Sequence, residues 1–194
     1  MRPVCLREVA EKVKGCCKCD LCKVRKNPVP GEGDEGAEVV FVGEAPGKEE
    51  DEEGRPFVGR AGRLLRSTIS QIGFKKYYIT NVVKCRPPGN RTPTEEEVEA
   101  CKPYLIEELN CIRPKLVVAL GRTAAEALLG LKGPLKGVRG KVLVASAGGA
   151  RVKVLVTYHP AAVLRNPKLK EQFVSDLKKA FNEVYKQRSL FDSG

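Results

Sequence analysis

The chain is short of several things, and each shortage closes off a class of function. No apolar run reaches the ~20 residues that span a bilayer, so a membrane-spanning helix is not expected. The first residues, Met1-Arg2-Pro3-Val4-Cys5-Leu6, lack the long apolar stretch of a secretory leader, which points to an intracellular protein. Internal repeats and low-complexity segments are absent, which argues against solenoid and linker architectures. Asn and Gln are scarce beside abundant Lys, Arg and Glu, a balance that hints at a hot habitat. Histidine occurs once, at His159, and a lone histidine is more often structural than catalytic.

What is present is 194 residues with a formal net charge of +11, enough chain for one core and enough positive charge to favour a polyanionic partner. Residues 1–186 read as one domain and 187–194 as a tail beyond the last helical stripe. The eight cysteines of an intracellular chain point to metal more than to disulfides.

Four segments read as core strands: Val39 to Val42, Tyr77 to Val83, Leu116 to Leu120 and Val152 to Thr157. Helical periodicity separates them. It runs from Ala61 to Ile72, from the capping box Thr94-Glu95-Glu96-Glu97 to about Asn110, from Thr123 to Leu129, and from Asn166-Pro167 through Val184. A short helix from Arg7 to Lys14 precedes them, Lys48 to Gly59 reads as a charged loop, and Gly137 to Gly149 is a candidate hairpin. The alternation predicts an α/β protein, a three-layer α/β/α sandwich around a central four-stranded parallel sheet.

Each strand ends in something notable: Gly43-Glu44, Asn81, Gly121-Arg122 and His159. In a parallel sheet these ends share one edge, where ligands bind. Alone, Glu44 is a turn acid, Asn81 a turn amide and Phe57 a core aromatic. Together, an acid, an amide, a histidine and an aromatic on a basic protein are the parts that bind a flipped base.

Gly43-Glu44-Ala45-Pro46-Gly47 and His159-Pro160-Ala161-Ala162-Val163-Leu164-Arg165 resemble the two signature motifs of the uracil-DNA glycosylase superfamily, closest to its thermostable iron–sulfur family 4 of archaea and bacteria. Gly54-Arg55-Pro56-Phe57-Val58-Gly59 and Ile79 to Pro88 agree in order. The resemblance implies hydrolysis of deoxyuridine in single- or double-stranded DNA by a monomer acting in base excision repair. In this scheme Glu44 handles the attacking water and His159 donates to uracil O2. Asn81 reads the uracil edge, Phe57 stacks, Gly43 and Ala45 line the pocket, Glu50 excludes thymine and Asn90 helps hold the water. Leu164 is implied as a wedge into the duplex, supported by Arg165. Lys84, Arg86, Arg91 and Arg122 are candidate phosphate contacts, each weighed against a plain solvated charge.

Cys16 with Cys19 and Cys19 with Cys22 are both C-x2-C pairs. Four thiolates hold zinc or an iron–sulfur cluster, and spacing alone does not choose. The family register, carried on through Leu21, Arg25, Gly31 and Gly33, favours Cys16 and Cys19 with Cys85 and Cys101 around a [4Fe–4S] cluster, Cys22 being the runner-up. Cys5, Cys17 and Cys111 are left over. Two alternatives stay open: a related glycosylase with broader base choice, and a non-catalytic iron–sulfur or zinc module that binds nucleic acid. Gln187, Leu190 and Phe191 in the tail resemble peptides that dock on sliding clamps of the PCNA type, against the simpler expectation that Leu190 and Phe191 fold back on the last helix.

Overall fold

Strand β2 (Val39–Gly43) is buried along its whole length, as an unbroken run of β-branched and aromatic residues dictates. In the computed structural model, which describes residues 2–186, it lies at the middle of a six-stranded sheet of order β1-β3-β2-β4-β6-β5. The parallel strands are β3 (Tyr77–Asn81), β2, β4 (Leu116–Leu120) and β6 (Ala150–Thr157). The expected count of four is therefore corrected to six, by an antiparallel strand at each edge. One is β1 (Glu32–Gly33), only two residues long and without a pattern to betray it. The other is β5 (Val142–Ala147), joined to β6 by Gly148-Gly149, both at positive φ, as a two-residue hairpin turn requires.

Alternate residues feed two cores. Val40, Val42, Val117, Ala119, Val154 and Val156 pack with α1 (Arg2–Lys14), α4 (Glu95–Ile112) and α5 (Arg122–Leu129). Val39, Phe41, Leu116, Val118, Leu120 and Leu155 pack with α3 (Arg60–Ile72), α6 (Pro160–Arg165) and α7 (Lys170–Tyr185). This is the expected three-layer sandwich.

Three local expectations change. Part of the charged Lys48–Gly59 segment is a helix, α2 (Lys48–Glu53), invisible to hydrophobic periodicity because Lys-Glu-Glu-Asp-Glu-Glu has no apolar residue. Its acids favour a helix N-terminus, and Glu50 caps by accepting from Gly47 N at 3.1 Å. Leu164 and Arg165 stand on α6 rather than on a loop. Asn166-Pro167 opens a 3-10 turn (Pro167–Leu169) before α7, and Asn166 makes no side-chain cap bond there.

A disulfide joins Cys5 on α1 to Cys111 on α4, with Cα atoms 5.8 Å apart. Both cysteines read as surplus in the sequence, since spacing does not pair residues 106 apart. The bridge pins the helix that leads into Cys16 against the helix that carries Cys101. No described helix is long and apolar enough to cross a membrane. Gln187, Leu190 and Phe191 lie outside the described residues.

Candidate active site

The sheet brings the strand ends together. Gly43 of β2 and Asn81 of β3 are register partners, and Leu120 pairs with Thr157 two residues before His159. A Cβ on Gly43 would come within 2.5 Å of both Asn81 Oδ1 and Phe57 Cζ, so only glycine leaves this floor open. The ladder continues past the strands, with Val82 N donating to Gly43 O at 2.9 Å and Val83 N to Glu44 O at 3.0 Å. That fixes the backbone of Glu44 beside Asn81.

Asn81 is buried, and its Oδ1 has no hydrogen-bond partner among the described residues. An unpaired buried acceptor costs about 1–3 kcal/mol, a cost that a ligand N–H removes. The Phe57 and His159 rings stand nearly parallel beside it, 28° apart in plane with centroids 5.7 Å apart.

His159 caps α6: its Nδ1 accepts from Ala161 N at 3.0 Å. That bond places the ring proton on Nε2, the nitrogen left to donate. Burial, then the charge of Arg165, pushes the imidazole down to about 4, so it is neutral near pH 7. Glu44 is half-buried, and burial raises its carboxyl above the ordinary value of 4.5 while Arg165 pulls it back. Arg165 thus acts on both groups from the exposed end of α6, next to Leu164, which is 38% exposed.

Other expected residues are held as follows. Glu50 braces loops: its carboxylate accepts from Gly47 N, from Val58 N at 3.2 Å and from Gly59 N at 2.8 Å, tying the Glu44 turn to the Phe57 turn. Ala45 is half-buried against the core. Asn90 stands on an exposed turn, its Oδ1 taken by Arg86 Nε at 2.7 Å. Arg91 pairs with Glu97 at 2.7 Å and Arg122 with Glu126 at 2.7 Å, each still partly exposed.

Lys84 is the clear correction. Its side chain is 1% exposed, so it cannot reach a phosphate. Its Nζ donates to Glu108 Oε2 (2.6 Å), Thr80 Oγ1 (2.6 Å) and Asn81 O (2.7 Å). The partner acid lies 24 residues away on α4. Sequence offered no signal for this pairing beyond an acid on a helix.

Cys16, Cys19, Cys22, Cys85 and Cys101 line one hollow together with Val13, Val83 and Tyr104, about 320 Å³ free of protein atoms and partly open to solvent. Among the described residues no three His, Cys, Asp or Glu groups stand close enough to hold a single metal ion. Donors already point at the sulfurs: Arg25 Nη1 to Cys85 Sγ at 3.0 Å, Lys84 N to Cys101 Sγ at 3.2 Å and Lys18 N to Cys16 Sγ at 3.5 Å. N–H donors of this kind stabilise cluster sulfur. Burial pushes the Cys101 thiol up to about 12 and raises Cys85, so neither is a reactive thiolate without a metal. Cys22 is engaged with Cys17, and Cys16 with Tyr104.

The family model for the uracil DNA glycosylase superfamily matches residues 30–184. The type-4 uracil-DNA glycosylase of Archaeoglobus fulgidus is 49% identical over 195 residues, covering 96% of this chain and 98% of that protein. Its counterpart from Pyrobaculum aerophilum is 51% identical over 178 residues, 89% of this chain and 91% of that one. The type-4 enzyme of Thermotoga maritima is 45% identical over 184 residues, covering 92% and 94%.

Proposed function

The chain belongs to the uracil-DNA glycosylase superfamily and to its type-4 enzymes, and from that premise we propose how its residues hydrolyse the N-glycosidic bond of deoxyuridine in DNA. The observation that carries the assignment is the buried, unpartnered Oδ1 of Asn81 above the floor left open by Gly43. Uracil N3–H donates to that oxygen while O4 accepts from the amide nitrogen. Cytosine presents the opposite pattern at both atoms, an acceptor at N3 and a donor at N4. Phe57 stacks on the flipped ring.

As the C1′–N1 bond breaks, the electron pair leaves with uracil and the sugar becomes cationic. His159 Nε2–H donates to O2, where negative charge collects; a neutral donor suffices. Glu44, ionised, orients the water and takes its proton as the hydroxyl bonds to C1′, and its charge steadies the sugar cation. The departing uracil anion takes up a proton, Glu44 returns its own to solvent, and uracil and an abasic site are the products. Leu164, exposed on α6 beside the catalytic pair, fills the gap left in the duplex, and Arg165 supports it from the next position. Arg86, Arg91 and Arg122 contact phosphates, and the overall charge of +11 supports such binding.

Asn81→Ala should remove most uracil release, while Asn81→Asp should gain slow release of cytosine, because a carboxylate accepts from the cytosine amino group. Release rates from matched uracil and cytosine oligonucleotides measure both. Wild-type uracil release by Asn81→Ala would end the recognition role.

Cys16, Cys19, Cys85 and Cys101 would hold a [4Fe–4S] cluster, supported by the shared hollow and the N–H donors on three of the sulfurs. When bound, the cluster supplies a structural clamp between the N-terminal segment and the loop after Asn81. Purified protein should be brown and carry about four irons per chain, with Cys16→Ala losing more iron than Cys22→Ala. Colourless protein with one zinc contradicts the cluster, and the reverse order of iron loss moves the ligand register to Cys19 and Cys22. The proposal also has Gln187, Leu190 and Phe191 docking weakly on a PCNA-type sliding clamp, supported by the residue pattern alone.

A further inference from the structure

Phe57 has φ 53°, a left-handed conformation that is costly for a bulky residue and persists only where its surroundings hold it. The surroundings are specific. Arg66 of α3 donates from Nε to Phe57 O at 2.9 Å and from Nη2 to Pro56 O at 2.8 Å. The same Nη2 reaches Glu32 Oε1 at 2.9 Å, and Glu32 is held in turn by both Nε and Nη2 of Arg55. A Cβ on Gly62 would fall 2.1 Å from the Phe57 carbonyl carbon and oxygen, so α3 packs directly on this peptide. With the carbonyl drawn toward Arg66, the ring lies on the Gly43 floor beside His159.

We infer that Arg66 is a positioning residue for the glycosylase: its guanidinium holds Phe57 in the left-handed turn that aims the ring into the uracil pocket, without itself touching uracil. The planar fork matters. It grips two carbonyls and a carboxylate at once, which a lysine ammonium on a flexible stem does not reproduce. Glu32, on the short edge strand β1, completes the device by fixing the fork. The inference rests on Phe57 being the stacking platform.

A double-mutant cycle in the full chain tests it, reading single-turnover uracil release, inhibition by free uracil and thermal melting. Phe57→Ala should slow release and weaken inhibition. Arg66→Met keeps the aliphatic stem packed. It should slow release on the order of 10- to 100-fold, as small misplacements of a positioned group do, and weaken inhibition by uracil in parallel. The Phe57→Ala/Arg66→Met double variant should be no slower than Phe57→Ala, because both changes act through one ring. If Arg66→Met does not fold, Glu32→Gln replaces it, with a smaller loss that again vanishes in the Phe57→Ala background. A harmless Phe57→Ala would sink the platform assignment and this inference with it. A harmful Phe57→Ala beside a harmless Arg66→Met, or losses that multiply in the double variant, would overturn the role of Arg66 alone.

Discussion

Glu44→Gln should leave DNA binding intact and slow uracil release by about 10²- to 10⁴-fold, the usual contribution of a positioned general base. The amide keeps the shape of the side chain at the end of β2 but neither takes the proton from water nor carries a charge to face the sugar cation. The pH profile separates this carboxylate from its neighbours. Glu44 must be ionised to act, and burial raises it above 4.5. The wild-type rate should therefore fall, as pH drops, through a value higher than that of a free glutamate. His159 titrates lower, since its own value is pushed down to about 4. In Glu44→Gln the residual rate should lose that limb. Single-turnover rates across pH, with binding measured alongside, check both parts; wild-type-like turnover would remove Glu44 from the mechanism.

Lys84→Met should cost about 3–5 kcal/mol of stability, the loss expected when one member of a buried pair is removed. Both side chains are 1% exposed. Glu108 already accepts from Gly31 N at 3.1 Å and from Thr80 Oγ1 at 2.9 Å, so without Lys84 its charge stays buried and under-compensated. Adding Glu108→Gln removes that charge while keeping an acceptor, and should recover part of the loss. The same lysine holds Asn81 O, while its backbone N–H reaches Cys101 Sγ, so one residue braces both the reading amide and the cysteine hollow. Chemical denaturation of the purified protein measures the effect. A change below about 1 kcal/mol, the range of an exposed ion pair, would contradict it.

The parallel strands and their ends were readable because the relevant physics is local. Val39-Val40-Phe41-Val42 can hardly be anything but a doubly buried strand, and a parallel sheet then delivers Glu44, Asn81 and His159 to one edge. What local pattern does not carry is the direction of a side chain and the identity of a distant partner. Lys84 has the charge of a phosphate contact, yet it turns inward because Glu108 waits on α4. Cys5 and Cys111 look surplus until the packing of α1 on α4 brings them together. The helix α2 escaped notice because its stability comes from capping and charge rather than an apolar stripe. The left-handed turn at Phe57 has no sequence signature, since an aromatic is the last residue expected there.

The most direct measurement of the central claim is release of free uracil from a uracil-containing oligonucleotide by the purified chain. The account predicts free uracil and an intact strand bearing an abasic site from wild type, no release from a matched thymine or cytosine strand, and a greatly slowed reaction from Glu44→Gln. Tight binding of the same oligonucleotide without any uracil released would contradict it and leave a nucleic-acid-binding module in place of an enzyme.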